Sequence, residues 1–364
     1  MAQVHIEAIQ SAIPRSIVEP GRSRRIAVAA TPMPPGALKS RLRVIFYYNK
    51  VAEEESAWTV AAWIKESIGN ALAEQPELAG RLRRGGEADG YWEVKFNDAG
   101  VRLVQATAEM TVSEFLALED REAKEDALAY WVDIDKENPH FSALFYIQVT
   151  KFKGDGYSIG ISCSVLLADL LFLSNFLKFW AQVHTQMLTQ GQLSKNPIFH
   201  LSKFQRPNHP KYLKSISLDS ATTIATAVAA ATASATTIFK VNQTQAQGMS
   251  FEAIALLCLK EATKKLGVKM TSKFSLVIND ESREMQVGSY GDDNNTGLQS
   301  PGMSNSLIVA EQWSELGVEE LTLVQGNKPI HVSYNVMSSA DEGFVVIMAP
   351  RKGQLMVSVT VAKE

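Results

Sequence analysis

The chain has 364 residues, 46% of them hydrophobic, and a formal net charge of −3. That length and apolar content allow two globular domains with a sizeable core, and the slightly acidic balance excludes a nucleic-acid binder, whose domains are clearly basic. Cys163 and Cys258 lie in apolar runs and read as buried free thiols of a reducing compartment, not as a disulfide or a metal pair. The N-terminus has no basic start followed by an apolar block, and no run of about 18 apolar residues occurs. The sequence therefore reads as a cytoplasmic protein with no transmembrane segment.

Val4 to Ile13 alternates in part and predicts a strand, and Pro14 to Pro35 predicts a loop in which Arg22, Arg24 and Arg25 form a solvated cluster. Leu42 to Tyr48 is a buried strand, and Trp58, Ala61, Ala62, Ile68 and Leu72 share one face of a helix over Ser56 to Ala73. Trp92 to Phe96 and Val101 to Ala106 predict a hairpin around Asn97-Asp98-Ala99-Gly100, and Thr111 to Glu114 has capping-box character. Phe141 to Phe152 and Tyr157 to Ser164 predict a second hairpin, which turns at Ser164-Val165-Leu166-Leu167-Ala168-Asp169 into a long helix rich in Phe. Residues 189 to 218 read as a crossover, and Ser220 to Thr237 is low-complexity Ala/Thr. In the second half, Thr237 to Val241 is a strand, Ser250 caps a helix over Phe251 to Lys265 that Gly267 ends, and Phe274 to Ile278 is a strand. Asp280 to Ser304 predicts a loop, followed by strands at Leu307 to Val309, Leu321 to Val324, His331 to Val336, Gly343 to Ala349 and Leu355 to Val361. The whole is α/β with mixed or antiparallel sheets and no Gly-rich phosphate loop.

Chemistry is sparse. The six histidines form no HxxxH, HExxH or Cys/His spacing, which leaves no metal site. Asp133 to Asn138 lacks the Gly and the closing Glu of a calcium loop. Ser162 and Ser164 stand at the strand–helix corner without a GxSxG elbow, so a capping or packing role is favoured for both.

The order of PELAGRL at 76–82, the WEVKFNDAGV segment, FSALFYIQVTKF, SIGISCSVLLAD and the Phe-rich helix resembles the plant BAHD acyltransferase superfamily. The second half continues the likeness in Ser250-Phe251-Glu252-Ala253, in Asp280-Glu281-Ser282-Arg283 and in the approach to Gly326-Asn327-Lys328-Pro329. The FKGDGYSIGISCS segment, the Gln-Gly-Asn-Lys-Pro box and the C-terminal strands are most similar to the Eceriferum-like (wax biosynthesis) subgroup. The resemblance implies a two-domain, coenzyme A-dependent acyltransferase-like fold: an N-terminal domain over 1–188, a crossover linker over 189–236 and a shortened, truncated C-terminal domain over 237–364. It also implies a monomer that moves acyl groups from acyl-CoA, with an ion pair between Asp169 and Arg283.

Two departures qualify that implication. The family's HxxxD motif places a His four residues before the Asp, as the base for the attacking hydroxyl, and here that position is Val165. An isopropyl group accepts no proton, and loss of a general base costs about 10² to 10⁴ in rate. Ser164 and Asp169 are the polar groups left beside the old centre. The DFGWG positions read Leu323-Val324-Gln325-Gly326-Asn327, without the Asp and Trp. The resemblance then implies a non-catalytic accessory of very-long-chain fatty acid elongation for cuticular wax. It would need no cofactor, would have acyl-CoA as substrate or ligand, and would meet a fatty-acid elongase condensing enzyme at the cytosolic face of the endoplasmic reticulum. The alternative is an acyl-CoA-dependent O/N-acyltransferase, or a repurposed lyase, working without the His.

Overall fold

The computed structural model describes residues 2–29, 33–49, 56–85, 91–154, 156–193, 212–218, 234–242, 248–269, 273–279, 284–291, 308–311, 313–318, 322–323, 327–338, 342–351 and 354–362. In chain order the first half runs β1 (Gln3–Ala12), β2 (Ser23–Val28), α1 (Pro35–Lys39), β3 (Arg41–Tyr48), α2 (Ala57–Glu74), β4 (Arg81–Arg84), β5 (Trp92–Lys95), β6 (Val101–Ala108), α3 (Val112–Leu116), α4 (Arg121–Lys124), β7 (Phe145–Phe152), β8 (Tyr157–Ser164) and α5 (Leu170–Thr189). There follow β9 (Lys214–Ser217), β10 (Ser234–Asn242), α6 (Phe251–Leu266), β11 (Lys273–Asn279), β12 (Met285–Gly291), β13 (Ile308–Glu311), β14 (His331–Met337), β15 (Gly343–Arg351) and β16 (Gln354–Ala362).

Two mixed sheets carry the α/β fold, and each borrows strands from the other half of the chain. The first has the order β14-β3-β8-β7-β6-β1-β9, and the second β13-β10-β16-β15-β11-β12-β2-β5-β4. β14 from the second half pairs antiparallel with β3, from His331↔Tyr47 to Met337↔Arg41, while β2 lies parallel to β12. β3 and β8 are buried along their whole length. Covering both faces of a sheet gives central strands this near-continuous apolar character. α2 and α5 cover one face. Ser56 starts α2 by accepting from the Thr59 amide at 3.1 Å, and Val60, Ile64, Ile68 and Leu72 then recur at helical spacing into the core.

On the other face, Arg43 is 2% exposed and pairs with Glu125 at 3.0 Å and Asp126 at 2.8 Å. Tyr47 and Ser333 both donate to Glu125, at 3.2 and 2.6 Å, so the buried carboxylate also ties β14 to β3. A buried ion pair is sustained only when its remaining oxygens are satisfied in this way.

Several expectations need correction. Trp92–Lys95 and Val101–Ala108 do not pair with each other: β5 joins β2 and β4 in the second sheet, whereas β6 joins β1 and β7 in the first. The turn between them carries Asp98 at φ 52° and Gly100 at φ 74°, as a turn should, but it passes from one sheet to the other. The expected loop over 14–35 contains β2, and the expected loop after Asp280 contains β12, paired with β11 and β2. Thr322 and Leu323 are not in a strand. The Phe141–Phe152/Tyr157–Ser164 hairpin is present as β7 and β8, and Gly267 ends α6 in the left-handed conformation at φ 68°. The Ala/Thr segment lies mostly outside the described residues.

Gly160 shows how tightly the sheet packs. A Cβ there would sit 1.9 Å from the carbonyl oxygen of Leu128, in the turn that follows Glu125. Backbone atoms cannot yield as a flexible side chain can, so Gly160→Ala is expected to destabilise the protein by about 3 kcal/mol. Chemical denaturation checks this.

Candidate functional site

The end of β8 and the start of α5 form a buried corner. Four residues, Val165 to Ala168, separate the strand from the capping position of the helix. The helix starts at Leu170, because Asp169 is its N-cap: Oδ1 accepts from the Phe172 amide at 2.7 Å. Ser164 is not the cap. Its Oγ accepts from the Leu166 amide at 3.3 Å and is fully buried. Ser162 donates to the Ala129 carbonyl at 3.0 Å. Both serines stabilise backbone, and Val165 is 1% exposed within the main apolar cluster.

A buried turn must find partners for its backbone polar groups. The Val165 amide donates to Ser40 O at 3.3 Å, and the Leu167 and Ala168 amides donate to Ser164 O at 2.9 and 3.2 Å. The carbonyls of Leu166 and Leu167 accept from one nitrogen of Arg24, both at 2.8 Å. The expectation of a solvated Arg22/Arg24/Arg25 cluster therefore fails at its middle member. Arg24 alternates with Ile26 on β2 and turns towards the corner, while Arg22 and Arg25 are exposed and lie over the rings of Phe96 and Tyr91.

Asp169 also reaches the second sheet. Its Oδ2 accepts from Asn279 Nδ2 at 2.5 Å, at the end of β11. Burial pushes the Asp169 carboxyl above its ordinary range, against the Phe172 amide, Asn279 and the charge of Arg24, which all favour the anion. Desolvation lowers Arg24 in turn, opposed by Glu77 and Asp169. Arg283, the expected ion-pair partner of Asp169, lies outside the described residues. Within them, the partners of the carboxylate are Asn279 and the nearby Arg24, which the sequence reading did not assign. The one available signal was the period-2 match of Arg24 with Ile26.

Of the second box, Val324, Gln325 and Gly326 lie outside the described residues. Leu323 is buried in a bend, and Asn327 is 3% exposed. Asn327 Nδ2 donates to Asn49 O at 2.9 Å and to the Tyr157 hydroxyl at 3.3 Å, the latter at the start of β8. The two motif regions thus contact opposite ends of one strand.

The remaining titratable candidates are structural. Cys163 and Cys258 are free and buried, and burial pushes both thiols up. His184 is fully buried between α2 and α5, with Nδ1 2.8 Å from Ser67 Oγ, which also accepts from the Trp180 indole at 3.0 Å. Burial lowers His184 to about 4. His331 packs against Tyr47 at 5.7 Å. Asp135 accepts from the Glu137 and Asn138 amides at 2.9 and 3.2 Å, as a turn residue. Among the described residues no group of His, Cys, Asp and Glu is arranged to hold a metal ion, and no helix is long and apolar enough to cross a membrane.

Against this geometry stand the comparisons with known proteins. A family model described as the Transferase family matches residues 38–279. The chain is 34% identical over 119 residues to Protein ECERIFERUM 26-like of Arabidopsis thaliana, an alignment covering 33% of this chain and 27% of that protein. It is 30% identical over 148 residues to agmatine hydroxycinnamoyltransferase 1 of Oryza sativa subsp. japonica, covering 40% of this chain and 30% of the relative. The chain spans less than half the length of these curated relatives. The crystal structure of vinorine synthase aligns with 99% of this chain and 95% of its own at a TM-score of 0.48 and 14% identity.

Two outcomes check the corner and the buried histidine. Asp169→Ala removes a helix cap, for about 1 kcal/mol, and leaves Asn279 without its acceptor, for about 2 kcal/mol more. Asp169→Ser keeps the capping oxygen and should recover only the first part, as read by urea denaturation. His184 must take up a proton on unfolding wherever the pH lies between its folded value of about 4 and the ordinary 6.5. Its folded value is the lower one, so the unfolded state binds more protons and stability falls as pH drops through that window. The loss is on the order of 3 kcal/mol. The pH dependence of unfolding should flatten by that component in His184→Gln.

Proposed function

The chain belongs to the Transferase family, the BAHD acyltransferases, and from that premise we propose that it is a non-catalytic, Eceriferum-like accessory of very-long-chain acyl elongation. The observation that carries this reading is Val165. The position that the resemblance assigns to the general base holds a buried isopropyl group, in a turn whose neighbouring polar atoms are engaged in backbone support. Ser164 is too occupied and too buried to replace an imidazole. Asn327, at the end of the second box, supports the reading as well, because its amide stitches chain segments together instead of facing a reacting group.

In this reading the N-terminal half over 1–188 and the C-terminal half over 237–364, joined by the crossover, serve as a scaffold for an acyl chain or an acyl-CoA. The protein acts as a single chain, needs no cofactor, and is held at the cytosolic face of the endoplasmic reticulum by an elongase condensing enzyme. Asp169 and Arg283 keep the family's structural pairing in this proposal, with Arg24 and Asn279 sharing the carboxylate.

The test is co-expression with plant condensing enzymes in yeast, followed by fatty-acid profiling. The expected outcome is a shift to longer acyl chains with at least one condensing enzyme, and the same shift with a Ser164→Ala variant. Unchanged profiles across a panel of condensing enzymes would contradict the proposal.

A further inference from the structure

A second constellation lies away from the corner, on the far edge of the first sheet, where β9 and β1 each contribute one side chain and the residue just after β6 contributes a third. β9 pairs with β1 so that Ser215 stands directly opposite His5, and β1 pairs with β6 so that His5 stands opposite Thr107, two residues before Glu109. His5 Nδ1 is 2.7 Å from Ser215 Oγ, and Nε2 is 3.0 Å from Glu109 Oε1. The imidazole stacks on Tyr212 with centroids 4.1 Å apart and planes 13° from parallel. Glu109 is anchored through its own amide, which donates to Gln3 O at 3.0 Å. His5 is 6% exposed, whereas Ser215 is exposed.

Both ring nitrogens and one ring face of His5 are therefore held, and the serine hydroxyl is the open end of the chain of contacts. The His5 contact also holds the Glu109 carboxyl below the usual range. An ionised carboxylate only accepts, so Nε2 carries the imidazole proton and Nδ1 is left to accept from the hydroxyl. Nucleophile, base and orienting carboxylate in hydrogen-bond series define an activated nucleophile by geometry, independent of sequence order or fold.

We propose that Ser215 is a nucleophile activated by His5 as general base and oriented through Glu109, with activated carboxylic esters as its substrate class. Ser215 Oγ attacks the carbonyl carbon and its proton passes to His5 Nδ1. The bond to the leaving alkoxide breaks, and that oxygen takes the proton back. Water, deprotonated by His5, then attacks the acyl-serine; the bond to Ser215 Oγ breaks, Oγ takes the proton back from His5, and the acid is released. This activity is independent of the Val165 corner, because its three residues lie on β9, on β1 and just after β6.

The test uses the full chain and a fluorophosphonate probe, in which an Oγ–P bond forms, the P–F bond breaks and fluoride leaves. Peptide mass spectrometry locates the label. The expected result is labelling at Ser215, absent in Ser215→Ala and slowed about 10²-fold in His5→Gln, which keeps a hydrogen-bonding side chain but no base. A cross-strand hydrogen bond with no nucleophilic role gives the opposite results, and either overturns the proposal: Ser215 unlabelled, or labelled equally fast in His5→Gln. Matching circular dichroism and melting temperatures for both variants confine the comparison to reactivity.

Discussion

The carboxylate of Asp169 joins three parts of the molecule at one buried point. One oxygen caps the first turn of α5, the other accepts from Asn279 of the second sheet, and Arg24 of β2 lies close enough to favour the anion. Each contact alone is ordinary. Together they fix where the first sheet's central strand turns into its covering helix, and how that corner meets the strands of the second sheet. Removing a carboxylate from water costs several kcal/mol unless it is fully engaged, so these partners are a condition of placing an Asp there at all. The interlocking of the sheets follows the same logic at a distance, since β14 is tied into the first sheet through Ser333 and Glu125.

A corner of this kind is what catalysis needs, and it can persist when catalysis is absent. Its rigidity comes from backbone accounting: the Val165 amide on Ser40, the Leu166 and Leu167 carbonyls on Arg24, the Leu166 amide on Ser164. None of those contacts requires a base at position 165. In our proposal the family's scaffold is kept by packing and polar satisfaction, while the one side chain with no structural duty has been replaced by an apolar group that fills the core.

Much of this was legible in the sequence. β3, β7, β8, α5 and α6 followed from apolar runs, helical spacing and the Ser250 and Gly267 signals, because burial and capping act locally. The Asp169–Asn279 contact was not legible, since it joins residues 110 positions apart. Arg24 was misread because an Arg-rich, Pro-flanked segment looks solvated until the turn between β8 and α5 covers it. The Trp92/Val101 pairing was misread for a related reason: a good turn sequence reports the local bend, and only the register of β2 and β1 decides which sheet each strand enters. His5, Ser215 and Glu109 carry no spacing signal, because the three come together only through strand pairing.

In our proposal the corner keeps its structure without the base. The most direct measurement is the rate of coenzyme A release from acyl-CoA by the wild-type chain beside a Val165→His variant, over a panel of alcohol and amine acceptors. On this proposal no alcohol or amine acceptor raises wild-type coenzyme A release above its acceptor-free rate. Saturable release by the wild type at rates matching Val165→His would contradict it.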